Sequence, residues 1–159
     1  MKLHFEWQVP LSLTLNKKIV VTKSSPDLDR IKDIAGVYYF ARNHGSKSEP
    51  FYIGESLNLR TRLKQHLETA RIADILRGMS VTGAPDISGG TRSFHFAYFN
   101  PKPGQDTKKA IRIAQKFMIR ETVASNLPLL NSKLTIIKTH SLAFDGKGSF
   151  FSKENSVIE

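Results

Sequence analysis

The sequence predicts an α+β fold in which a small antiparallel or mixed central sheet is flanked by helices. Three observations carry that expectation. Short apolar runs rich in tyrosine and phenylalanine recur at GVYYFAR, FYIG and SFHFAYF. Helix-period apolar stripes stand between and after them, and the order of strands and helices lacks the regular βαβ alternation of a parallel sheet. One domain over residues 1–159 is expected, with a core at 36–131, N-terminal strands and a short helix at 1–35, and a C-terminal strand and tail at 132–159.

The first twenty or so residues alternate (Leu3, Phe5, Trp7; Leu11, Leu13, Leu15; Ile19, Val20, Val21), which predicts short strands broken at Pro10 and Asn16-Lys17. Ser25-Pro26-Asp27 reads as a helix start, with proline in the first turn and acids at the positive end of the dipole, and that helix should stop near Gly36. GVYYFAR then forms a strand, NHGSKSEP a hairpin loop and FYIG the antiparallel partner. Ser56 is placed to cap the next helix, whose stripe is Leu59, Leu63 and Leu67. A second helical stretch runs from Ile72 to Met79, and the glycines from Gly83 to Thr91 predict a flexible loop.

SFHFAYF alternates as a half-buried strand does, with Phe94, Phe96 and Tyr98 set against Ser93, His95 and Ala97. A long helix follows from about Thr107 to Ser125, its expected buried face being Ala110, Ala114, Phe117, Met118 and Ala124. A strand through Leu134 to Lys138 and a turn-rich, partly disordered tail complete the chain.

Charge narrows the function. Lys+Arg 24 against Asp+Glu 14 gives a formal net charge of +10, a field that draws polyanions, with nucleic acid first and an anionic membrane surface well behind. The chain has no cysteine, which excludes disulfides and cysteine-ligated zinc. No segment has the length and apolarity of a bilayer span, and His4, Glu6 and Gln8 interrupt any signal-peptide core. A cytoplasmic protein is expected, with export by a signal-less route left open.

The candidate chemistry lies between Ala35 and His66. Tyr38 and Tyr52 sit on successive strands and share a face only if the hairpin register allows it. Arg62 and His66 are one helical turn apart beside the leucine stripe, so docking the leucines on the sheet brings both to the edge of the core. Each alone is ordinary: a strand tyrosine is usually a satisfied core residue, and a helix arginine or histidine is usually a solvated one. Their joint spacing is what points to phosphate chemistry.

Gly36-Val37-Tyr38, Tyr52-Ile53-Gly54 and the following LNLRTRLKQH resemble the GIY-YIG nuclease superfamily, from Gly36 to Asn131. The superfamily includes the nuclease half of the excision-repair incision subunit, phage homing endonucleases and certain restriction enzymes. The resemblance implies a catalytic set of Tyr38, Tyr52, Arg62, His66 and Asn131, and a single divalent cation, Mg²⁺ or Mn²⁺. It implies hydrolysis of a double-stranded DNA phosphodiester, with Arg62 neutralising transition-state charge, Tyr38 receiving the water proton from a lowered pKa, Tyr52 and His66 orienting the water, and Asn131 bracing the metal end. A homodimer is expected if the role is that of a restriction enzyme, and a DNA-degrading toxin fits the size and charge equally.

The family's metal-binding glutamate falls on Gln115. An amide is a poor ligand for a hard cation. Three readings stay open: an inactivated form whose native residue is glutamate, a naturally non-catalytic nucleic-acid-binding domain, or a shifted register in which Glu121, ranked second, is the ligand. Arg60, Lys64, Lys108, Lys109, Arg112 and Lys116 are the expected nucleic-acid contacts, although a basic helix face is also explained by solvation.

Overall fold

The computed structural model describes residues 2–15, 18–19, 21–79, 81–82, 89–131, 139–142 and 155–158. The protein is α+β, with a five-stranded antiparallel sheet and three α-helices among those residues. The strands are β1 (Phe5–Trp7), β2 (Leu11–Ser12), β3 (Thr14–Leu15), β4 (Lys18–Ile19), β5 (Gly36–His44), β6 (Lys47–Ser56) and β7 (Thr91–Phe99). The helices are α1 (Leu59–Glu68), α2 (Ala70–Leu76) and α3 (Thr107–Ala124), with a 3-10 helix at Pro26–Arg30. The last strands, β8 (Thr139–Leu142) and β9 (Asn155–Ile158), pair with each other, so part of the tail expected to be disordered is a strand. The strand expected through Leu134 to Lys138 and most of the Gly83 to Thr91 loop lie outside the described residues.

The sheet runs β1-β7-β5-β6, with β2 also paired to β7. Its long hairpin is tighter than expected: most of NHGSKSEP continues the ladder, and His44 pairs with Lys47 across a turn at Gly45 and Ser46. Gly45 has φ +57, the backbone that such a two-residue turn demands. The register then pairs Tyr38 with Gly54 and Phe40 with Tyr52, and it shifts between Phe40 and Ala41. That bulge makes Phe51 the additional residue, so both Phe51 and Tyr52 join the same side of the sheet as Phe40.

Both faces of the sheet are covered. On one, Tyr38, Phe40, Phe94, Phe96 and Tyr98 pack with Leu59, Leu63, Ile72 and Ile75 of α1 and α2. On the other, Val37, Ala97 and Phe99 pack with Ala110 and Ile111 of α3. The expected half-buried character of β7 therefore fails: Ser93 and Ala97 are buried alongside Phe94 and Phe96. Alternation in the sequence reported the strand correctly, but small residues under a helix look like a solvent face.

Helix ends differ from the local reading. Ser56 does not cap α1. Its hydroxyl bonds the Asn58 backbone, and the cap comes from the loop after the 3-10 helix: Asp33 accepts from Thr61 N at 3.0 Å and Thr61 Oγ1 at 2.6 Å. Burial opposes the Asp33 charge, but the Thr61 bonds outweigh it and hold its pKa below the usual carboxylate value. The 3-10 helix ends at Arg30 rather than near Gly36, leaving residues 31–34 to do this anchoring. Helix α2 starts at Ala70 and ends at Leu76, earlier than the predicted Ile72 to Met79.

The buried face of α3 is also rotated from expectation. Ala110, Ile111, Ile119 and Thr122 are buried, whereas Phe117 is 61% exposed and Ala124 and Glu121 face solvent. Thr122 is tolerated inside because its hydroxyl donates to the Met118 carbonyl at 2.8 Å.

Candidate active site

Both glycines of the tyrosine motifs are fixed by close approach. A Cβ on Gly36 would strike the Ala97 carbonyl and Leu59, and one on Gly54 would strike the ring and hydroxyl of Tyr38. The Tyr38 phenol therefore lies flat over bare backbone, under α1. Helix α1 is held in turn by the 31–34 segment. Leu59 N donates to the Ile34 carbonyl at 3.1 Å, and Arg60 Nε donates to the Ile31 carbonyl at 2.8 Å. With that helix fixed, Arg62 and His66 project toward β5 and β6.

Four of the expected residues meet. The Tyr38 hydroxyl is 2.6 Å from His66 Nε2 and 3.3 Å from Arg62 Nε. The Tyr52 ring stacks near Tyr38, with centroids 6.4 Å apart, and stands edge-on to His66 at 5.1 Å. A guanidinium N–H can only donate, so the Tyr38 oxygen accepts from Arg62 Nε. The imidazole tautomer sets the direction of its bond to His66 Nε2.

Burial, with the Arg62 charge added, lowers the His66 pKa to about 4, so the ring is neutral at pH 7. Arg62 is stabilised as a cation: burial opposes its charge, but the Tyr38 and Tyr52 phenols outweigh that and raise its pKa. For Tyr38, burial first, and then the neighbouring Tyr52, raise the pKa despite the opposing pull of Arg62, and the residue is 1% exposed. Its hydroxyl links Arg62 and His66.

A cleft of about 250 Å³ opens beside this cluster, lined by Tyr52, Arg62, Gln65, His66, Thr69, Arg71, Ile72 and Leu130. Arg62 Nη1 donates to Gln65 Oε1 at 3.1 Å, which steers the guanidinium along its wall. Gln65, Thr69 and Arg71 were not singled out in the sequence. Arg71 belongs to the first turn of α2, which apolar periodicity placed two residues too late.

The remaining candidates fall elsewhere. Asn131 has no place in the cleft lining. Its Oδ1 accepts from Ile53 N at 2.9 Å and its Nδ2 donates to Ile53 O at 2.6 Å, so the amide pairs with the outer edge of β6 as another strand would. Arg60, expected to touch DNA, is bonded to Ile31 and lies 3.8 Å from Asp29. Lys64 is half-buried on α1, and Lys108, Lys109, Arg112 and Lys116 are exposed on α3. Because α1 and α3 cover opposite faces of the sheet, those four cations do not border the cleft.

Gln115 is half-buried and donates through Nε2 to the Ile53 carbonyl at 3.4 Å. That carbonyl belongs to the peptide leading into Gly54, so position 115 comes close to the β6 backbone beside Gly54. The donors do not fit a hard divalent cation, however. The Gln115 amide is used as a hydrogen-bond donor, Glu121 is exposed, and among the described residues no three His, Asp or Glu side chains gather. No protein-family model matches the chain, and neither a curated protein nor a solved structure does. No helix among the described residues is long and apolar enough to cross a membrane.

Proposed function

We propose that the chain is a DNA-binding domain of the GIY-YIG nuclease type, an endonuclease scaffold in which glutamine stands at the metal position. The observation that carries this reading is the Tyr38 hydroxyl held between Arg62 Nε and His66 Nε2 at the wall of an open, cationic cleft. A DNA phosphate fits there, because Arg62 offers a permanently charged fork whose donors outnumber its bonds to Tyr38 and Gln65. Tyr52 borders the same space with a phenol, and neutral His66 supplies bulk and a fixed ring rather than charge. The formal net charge of +10 supplies the long-range attraction and predicts salt-sensitive binding.

Hydrolysis is the reading's second part, and it turns on position 115. Plasmid incubated with the Gln115→Glu protein is expected to be nicked when Mg²⁺ or Mn²⁺ is added, while the unmodified chain binds without cutting. Discrete fragments would indicate the restriction-type role, and a smear the general degradation of a toxin. Gln115 already serves the fold through the Ile53 carbonyl, which favours a second reading, a natural binder. A Gln115→Glu protein that is folded, binds DNA and never cuts would leave only that second reading.

A further inference from the structure

The cleft is the wrong size for a duplex and the right chemistry for something smaller. Its volume of about 250 Å³ lies just under the range of drug-sized ligand sites, about 300 to 1,000 Å³. It can admit one phosphate with part of its nucleoside, and it cannot admit a base pair. Its lining holds two arginines and no carboxylate. They come from different helices, Arg62 from the middle of α1 and Arg71 from the first turn of α2. Arg71 is exposed and has no hydrogen-bond or ion-pair partner among the described residues. The lining also has an apolar part, Ile72 and Leu130, together with Tyr52, although Ile72 and Leu130 are largely buried.

We propose that this cleft takes a single unpaired nucleotide, its phosphate between Arg62 and Arg71 and its sugar and base against Ile72, Leu130 and Tyr52. The inference rests on the phosphate-binding reading of the cleft and goes further, in that it names a strand end or a displaced nucleotide as the preferred form of DNA. A paired base cannot enter without leaving the stack, whereas an unpaired one enters without that cost. The apolar wall then adds affinity that a bare phosphate or a continuous duplex does not collect. Arg71 is a binding residue in this arrangement.

The test compares two short fluorescent duplexes of one sequence, one blunt and one carrying a single unpaired nucleotide at the labelled strand's end. Binding is followed by anisotropy at fixed salt without divalent metal. The unmodified protein is expected to bind the overhang form about tenfold more tightly. Arg71→Ala removes one of the two phosphate ligands, and Thr69→Phe fills the cleft from an exposed position; in each the overhang-to-blunt ratio is expected to fall to about one. Both sites are exposed, Thr69 Oγ1 bonds only the Gln65 carbonyl within α1, and thermal unfolding checks that each variant keeps the fold. Equal affinity for the two duplexes, or a preference that survives both substitutions, overturns the inference while leaving DNA binding intact. Absence of binding to either duplex overturns the proposed function itself, and this inference with it.

Discussion

Tyr38 and His66, separated by 28 positions in the chain, share a hydrogen bond of 2.6 Å in a buried setting. The phenol also accepts from Arg62, so one hydroxyl satisfies two α1 side chains. Tyr38→Phe keeps the ring and removes that bridge, leaving buried His66 Nε2 without its partner. A buried group left without its partner costs about 1–3 kcal/mol, and urea denaturation should register a loss of that order. Unchanged stability would mean that the bond contributes nothing to holding the helix on the sheet.

Stability should also depend on pH through His66. Its pKa is near 4 in the fold, below its ordinary value of 6.5, so the unfolded chain takes up the proton first on acidification. The stabilising contribution is complete above pH 6.5 and drains away as pH falls toward 4, amounting to about 3 kcal/mol over that window. Lowered carboxylate pKa values, such as that of Asp33, act only at still lower pH. In His66→Gln, which keeps an uncharged polar partner for Tyr38, the stability curve between pH 7 and 4.5 should become shallower, leaving the share of His95, whose pKa burial also lowers. An equally steep curve in the variant would assign the effect to other groups.

Gly36→Ala and Gly54→Ala are each expected to cost more than about 3 kcal/mol, because the added methyl meets a backbone carbonyl in one case and the Tyr38 ring in the other. Gly78→Ala is the control. Nothing lies near a Cβ there, and only its φ of +75 is strained, so a loss of about 1 kcal/mol is expected. Thermal melts of the three proteins rank them. Equal losses at Gly54 and Gly78 would show that the Tyr38 ring can move aside.

The α3 cations offer a separate test of where DNA sits. Lys109, Arg112 and Lys116 follow one side of the helix, on the sheet face opposite the cleft. Changing Lys108, Lys109, Arg112 and Lys116 together to alanine should alter the salt slope of DNA binding by less than about one unit. If these side chains did neutralise phosphates, the slope would fall by about 0.9 for each phosphate released. A drop of three or more would put the duplex on α3.

Much of the site was legible because Leu59 and Leu63 set the rotation of α1, and that rotation carries Arg62 and His66 to the tyrosines whatever the rest of the chain does. Long-range choices were not legible. The Asp33 cap on α1 comes from 28 residues away from Thr61, so a local scan selects Ser56 instead. Phe117 looks like a core residue by type, yet the buried side of α3 is built from Ile111, Ile119 and a self-bonded threonine. The raised pKa of Tyr38 could not be read either, since it follows from how deeply packing buries the phenol.

Strand β6 is the outermost strand of the sheet, and such a strand ordinarily offers its spare peptide groups to any passing chain. Here Leu130 N is bound to the Phe51 carbonyl at 2.7 Å, and the Asn131 amide occupies both groups of Ile53. The segment after α3 thus works as a stopper, closing the margin beside the tyrosines against intermolecular β-addition and the aggregation that follows from it. Removing it by Asn131→Ala would turn a protected border into a sticky one, a hazard to solubility in a region whose side chains are otherwise arranged for charge.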